Sequence, residues 1–118
     1  GSKATVAMAD EVLKLVAEFA PGLELKYNKF YIGLASNGQP NNFVQFRPQK
    51  NALRVEVRLP QSQETEAAIE TAGLDVMDYD KRWGRYRLRL GKGEVSRFAE
   101  VLSELAKQAY MAAGKADG

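Results

Sequence analysis

A chain of 118 residues, 45% hydrophobic and 27% charged, has the size and composition of one globular domain that buries roughly two thirds of its unfolded surface. Its 17 basic and 15 acidic residues leave a net charge of only +2, so bulk charge names no partner. With no cysteine and no histidine, disulfides, thiolate nucleophiles, Cys/His zinc sites, Ser-His-Asp triads and histidine acid–base chemistry are all excluded.

Gly1-Ser2 has the look of a cleavage scar left by recombinant expression, and residues 1–5 are expected to be disordered ahead of a single domain over residues 6–111. The first helix is predicted from about Val6 to Ala20, with Val12, Leu13, Leu15, Val16, Phe19 and Ala20 on one apolar stripe. Pro21-Gly22 ends it, since proline cannot continue the hydrogen-bond ladder. Antiparallel strands follow at Leu23–Tyr27, Phe30–Ala35, Phe43–Arg47 and Leu53–Leu59, separated by the turns Asn37-Gly38-Gln39-Pro40-Asn41 and Pro48-Gln49-Lys50-Asn51. In the last strand Leu53, Val55, Val57 and Leu59 alternate strictly with Arg54, Glu56 and Arg58, the pattern of a sheet with one face on the core.

Ser62 or Thr65 can cap a short helix from about Glu64 to Ala72, and Gly73 suits its C-terminal exit. Leu74–Met77 reads as a short strand or loop, and Asp80–Gly84 as a turn. Tyr86, Leu88 and Leu90 then alternate with Arg85, Arg87 and Arg89 in a further strand. A last helix runs from about Glu94 to Met111, with Val95, Phe98, Val101, Leu102, Leu105, Ala106 and Ala109 on its apolar side, and residues 112–118 form a fraying tail. The fold class is α+β: one antiparallel sheet of four or five strands, with an N-terminal and a C-terminal helix packed on one face. No apolar run approaches the ~20 residues of a spanning helix, so no membrane partner is expected and the predicted location is cytoplasmic.

Several stretches carry a family resemblance: Lys29-Phe30-Tyr31-Ile32-Gly33-Leu34, then Asn42 to Lys50 with its aromatic-x-Pro-Gln-Lys turn, the strand from Leu53 to Leu59 with Pro60, Trp83 to Leu88, and Gln108-Ala109-Tyr110. Over roughly Leu23 to Tyr110 the chain resembles an uncharacterised bacterial domain family, sometimes labelled "predicted transport protein" and also found as a C-terminal attachment to nuclease-like or restriction-type proteins. The resemblance implies an accessory module beside nucleic-acid enzymes.

Local charge says more than the net value. Glu64, Glu66, Glu70, Asp75, Asp78 and Asp80 form an acidic block without a base, and Lys81, Arg82, Arg85, Arg87, Arg89 and Lys92 a basic block without an acid. If Tyr86, Leu88 and Leu90 face the core, period 2 puts Arg85, Arg87 and Arg89 on the other face; the same parity turns Arg54, Arg58, Arg47, Gln45 and Phe43 outward, with Tyr31 beside them. Arginines interleaved with Tyr31 and Phe43 on an open sheet would suit a single-stranded nucleic acid, with cations on phosphates and rings on bases. Trp83, between Arg82 and Arg85, is a second candidate anchor. The ordinary alternatives are a solvated sheet face and a tryptophan folded into the core.

Catalytic constellations are not found. Asp75-x-x-Asp78-x-Asp80 lacks the spacing of a calcium loop, Glu56-Val57-Arg58 lacks both the lysine and the upstream aspartate of a two-metal nuclease, and Gly91-Lys92-Gly93 is no phosphate-binding loop. No catalytic residue, cofactor or metal is assigned. The expected function is a non-catalytic binding module that contacts nucleic acid through Arg47, Arg54, Arg58, Lys81, Arg82, Arg85, Arg87 and Arg89, with Tyr31, Phe43 and Trp83 for stacking. The alternative is a protein-interaction or homodimerisation domain in which acidic and basic blocks meet across subunits; a small-molecule pocket between sheet and helices is a third.

Overall fold

The alternation over Leu53–Leu59 becomes the middle of a sheet whose two sides differ sharply in chemistry. The computed structural model describes residues 3–117, with side chains described for residues 3–114; Gly1-Ser2 lies outside that range. In chain order the elements are α1 (Lys3–Ala17), β1 (Glu24–Tyr27), β2 (Ile32–Ser36), β3 (Gln39–Pro40), β4 (Val44–Pro48), β5 (Leu53–Arg58), α2 (Gln63–Ala72), β6 (Asp75–Val76), β7 (Arg85–Leu90), α3 (Glu94–Arg97) and α4 (Ala99–Asp117). The strands form one antiparallel sheet in the order β1-β2-β4-β5-β7-β6, and β3 also pairs with β2.

The sheet therefore has seven strands, not four or five. The two additional strands are two-residue pieces: Asp75–Val76 lies within the stretch Leu74–Met77 read as a short strand or loop, whereas Gln39–Pro40 falls in the expected turn and is too short for alternation to register in the sequence. The first helix starts at Lys3, because Thr5, Met8 and Ala9 extend the buried stripe backward. It stops at Ala17, and Phe19 and Ala20 turn back onto the Val16 carbonyl. The last helix is split at Phe98, and its second part continues to Asp117, through the segment expected to fray.

One core joins Val12 and Val16 of α1, Ile69 of α2, Val95 of α3 and Leu102, Leu105 and Ala109 of α4 to Val44, Phe46, Val55, Val57, Tyr86, Leu88 and Leu90 of the central strands. The parity expected for β5 and β7 holds. It fails at Phe43, which is expected to face outward but is 1% exposed and packs edge-on against Tyr110, with ring centroids 5.2 Å apart. Phe43 precedes β4, so the pleat that turns alternate residues outward does not yet apply. The same junction explains why β2 and β4 pair regularly at Ile32 and Phe46 alone. Further along β2, the Leu34 N–H donates to the Asn42 side-chain carbonyl (2.8 Å) and the Leu34 carbonyl accepts from Asn41 N–H (2.8 Å). Gly33 makes room for this, since a Cβ there would lie 2.4 Å from the Asn42 amide oxygen.

Ser62 caps α2, its hydroxyl accepting from Thr65 N–H at 3.1 Å, and Gly73 closes the helix in the left-handed region at φ 77°. This cap is tied to the sheet by Tyr86, whose hydroxyl accepts from Ser62 N–H (2.8 Å) and donates to Glu66 Oε2 (3.1 Å). Tyr79 packs edge-on against Tyr86 at 4.8 Å, and its hydroxyl donates to the Leu59 carbonyl. Burial raises the pKa of both phenols above the ordinary tyrosine value, with Asp80 adding to the effect at Tyr79 and Glu66 at Tyr86, where the Ser62 backbone opposes it. A phenol raised in the folded state stabilises the fold fully below the unfolded tyrosine value near pH 10 and loses that contribution as pH rises through the folded value. The urea midpoint is therefore expected to fall between pH 8 and pH 11, and to fall less in Tyr86→Phe; identical pH profiles for the two proteins would remove Tyr86 from this role.

Candidate anion-binding face

The side of the sheet away from the core is organised by register. Opposite one another in neighbouring strands stand Arg47 and Arg54, Arg54 and Arg89, Arg58 and Arg85, Glu56 and Arg87, and Gln45 and Glu56. Six arginines from β4, β5 and β7 thus share one face with a single glutamate. Three cross-strand pairs set like charge directly against like charge, an arrangement that disfavours a sheet.

Glu56 is the counterweight, and it is only 3% exposed. Its Oε2 lies 2.9 Å from Arg54 Nε and 3.2 Å from Arg47 Nε. Its Oε1 accepts from Gln45 Nε2 at 2.7 Å and, more loosely, from Arg85 Nη1 at 3.5 Å. The Nε–H groups of Arg47 and Arg54 meet the carboxylate by distance but are not aimed at it, and together with Arg85 Nε they are buried donors without a hydrogen-bond partner among the described residues. Packing and charge hold these guanidiniums, then, more than directed hydrogen bonds do. Burial lowers the Arg85 guanidinium below its ordinary value; Glu56 acts against that shift, while Arg58 and Arg47 reinforce it.

The remaining cations divide into two kinds. Arg87 is committed to the backbone, donating from Nε (3.1 Å) and Nη2 (2.7 Å) to the Asp78 carbonyl, and so fastens the β6–β7 connection. Arg58 and Arg89 are exposed and join no ion pair among the described residues, and Lys81 and Arg82 stand exposed in the turn before β7. No residue of the acidic block forms an ion pair with the basic block among the described residues. Asp80 instead shapes the turn, its Oδ1 accepting from Arg82 N–H (3.1 Å) and Trp83 N–H (3.2 Å).

The three aromatic candidates are not brought together. Phe43 is in the core. Tyr31 is half-buried just ahead of β2, at the end of the sheet where β4 finishes, whereas Trp83 sits where β7 begins. Trp83 is 57% exposed, so it is not a core residue; the Arg82 and Arg85 guanidiniums lie 5.2 and 5.9 Å from its ring centroid. Gln45, 3% exposed beneath the arginines, contributes to the site as a buried amide that fixes Glu56, a role its outward parity alone does not reveal. No family model, curated protein or solved structure matches the chain.

Removing the charge of Glu56 while keeping its shape tests the arrangement. Glu56→Gln leaves three crowded guanidiniums without their counter-charge, and loss of one partner from a buried ionic cluster costs roughly 3 kcal/mol. Denaturant unfolding should show a loss of that order, partly recovered in high salt; unchanged stability would mean that packing alone holds the arginines in place.

Proposed function

We propose that the chain is a non-catalytic cytoplasmic binding module that docks the phosphate backbone of a nucleic acid on the β4–β5–β7 face. The single observation that carries this reading is the register, which gathers Arg47, Arg54, Arg58, Arg85, Arg87 and Arg89 on one face around one carboxylate. Core packing of α1 and α4 against the other parity leaves this face available. Guanidinium groups stay charged at any physiological pH and present planar sets of donors that match phosphate oxygens, which favours recognition over proton transfer. Like-charge pairs opposite one another cost the free protein stability, and a bound polyanion would relieve that cost. The resemblance to attachments of nuclease-like proteins agrees with such a partner. Because Phe43 is buried and Tyr31 and Trp83 lie at different ends, phosphate contacts rather than a stacking platform across the sheet are assigned to this face.

A second reading draws on the acidic and basic blocks, which make no ion pair with each other within the described chain: they could meet between two copies. Light scattering over a range of concentrations separates the two, since a mass that stays monomeric rules out self-association through these blocks.

The main test is fluorescence anisotropy with labelled oligonucleotides at two salt concentrations. Arg58→Glu with Arg89→Glu changes two cations that take no part in the Glu56 cluster. It should weaken duplex binding by about tenfold or more and flatten the salt dependence by about two in log–log slope, near 0.9 for each lost phosphate contact. Unchanged affinity in the double variant, or no binding by the wild type at low salt, would overturn the proposal.

A further inference from the structure

The corner of the sheet around Trp83 is built differently from the arginine face and is not explained by it. Trp83 lies in a turn fixed by the Asp80 side chain and by Gly84 and Arg85 N–H groups that both donate to the Asp80 carbonyl, at 2.8 and 3.1 Å. Gly84 takes φ +70°, a left-handed backbone suited to glycine. One further backbone bond holds this turn to the end of β5, Leu59 N–H donating to the Gly84 carbonyl (3.1 Å), and that end is itself tied to the start of β4 by Arg58 N–H donating to the Phe43 carbonyl (2.9 Å). The exposed indole is therefore presented on a held turn and not on a loose loop.

Beside it runs an open groove of about 630 Å³, whose walls include Trp83, Arg58, Asn41 and Asn42. Asn42 uses its side-chain oxygen on Leu34 N–H, which fixes the amide orientation and leaves its NH2 group without a partner among the described residues. Arg58 is likewise unpaired and continues the arginine face, through its cross-strand neighbour Arg85, into the groove. Arg85 spans both features, contributing to the Glu56 cluster and lying over the Trp83 ring. An aromatic face, amide groups and an unpaired guanidinium around one groove match the three parts of a nucleotide: its base plane, its base edge and its phosphate.

We propose that this groove is a base-binding subsite that gives the module a preference for single-stranded nucleic acid, with a base stacked on Trp83, its edge facing Asn41 and Asn42, and its phosphate at Arg58. The inference rests on the phosphate-docking reading of the adjoining face. A duplex keeps its bases stacked on one another and cannot offer one to the indole, whereas a single strand can.

Trp83 is the one tryptophan in the sequence, so its emission reports directly on the groove. The wild type and Trp83→Ala are titrated at low salt with three probes of equal length: a single-stranded oligonucleotide, the same strand with abasic positions throughout, and a duplex. Single strand should quench the emission and bind about tenfold tighter than the abasic strand, the scale of one base–aromatic stack. Trp83→Ala, read by anisotropy, should abolish that preference while leaving abasic and duplex binding unchanged; Trp83→Phe should keep part of it. Equal affinity for single and abasic strands, or a preference that survives Trp83→Ala, overturns the subsite while leaving phosphate docking intact. Binding to none of the three probes overturns both readings, and quenching by an acidic aromatic peptide in that case would reassign the groove to a protein partner.

Discussion

The surface chemistry of this domain depends on one buried carboxylate. Glu56 stands in the middle strand with Gln45 beside it and three guanidiniums around it, at 3% exposure. An ion this deep in a sheet is seldom a net source of stability, because removing charges from water costs about as much as their attraction returns. Its effect is positional. One negative charge allows Arg47, Arg54 and Arg85 to share a small area that their mutual repulsion would otherwise open. The cluster keeps a net positive charge even so, and Arg58 and Arg89 beside it form no ion pair among the described residues.

The rest of the strand pairing makes sense in these terms. A sheet built only for stability would place acids opposite its bases, and the acidic block is close enough in sequence to supply them. Asp75 is indeed the register neighbour of Arg89, yet the two are not an ion pair. Asp78 contributes its backbone carbonyl to Arg87, and Asp80 its side chain to a turn. Of the acidic block only Asp75 stands level with the arginine face, and it pairs with none of its guanidiniums among the described residues, so the near-balance of charge over the whole chain conceals a separation of charge in space.

Much of this was legible in the sequence, for a simple reason. Strict alternation over Leu53–Leu59 and Arg85–Leu90 sets which side chains share a face, since a strand turns by two residues per repeat. Ser62, Gly73 and the helical stripes likewise act through local geometry and were found where local rules put them. What periodicity does not carry is adjacency. That β4, β5 and β7 are neighbours, and that Glu56 falls level with Gln45 and Arg87, follows from pairing between residues as distant in sequence as Leu53 and Leu90. Alternation also misleads where the pleat ends: Phe43 and Tyr31 stand just outside their strands, and parity counted through them assigns Phe43 to the wrong side. The two-residue strand β3 is set by its partner and leaves no pattern of its own, and β6 leaves one that could be read only as a short strand or loop.

Rigidity is the last link between fold and surface. Tyr86 illustrates it: an inward-facing residue of the arginine-bearing strand, it is bonded through its hydroxyl to the cap of α2 and packed against Tyr79, whose hydroxyl in turn holds the Leu59 carbonyl. Leu59 continues β5 beyond Arg58 and is bonded to the turn that carries Trp83. The side of β7 that faces the core thereby fixes the end of β5 and the start of β7 relative to each other, and the outward residues Arg58, Trp83 and Arg85 inherit that fixed spacing. Long cationic side chains lose rotamer freedom when they grip an anion, so a surface whose backbone is already held in place has less left to order on binding. In this domain the tyrosine network on the apolar side is what makes the arginine and tryptophan side a defined surface.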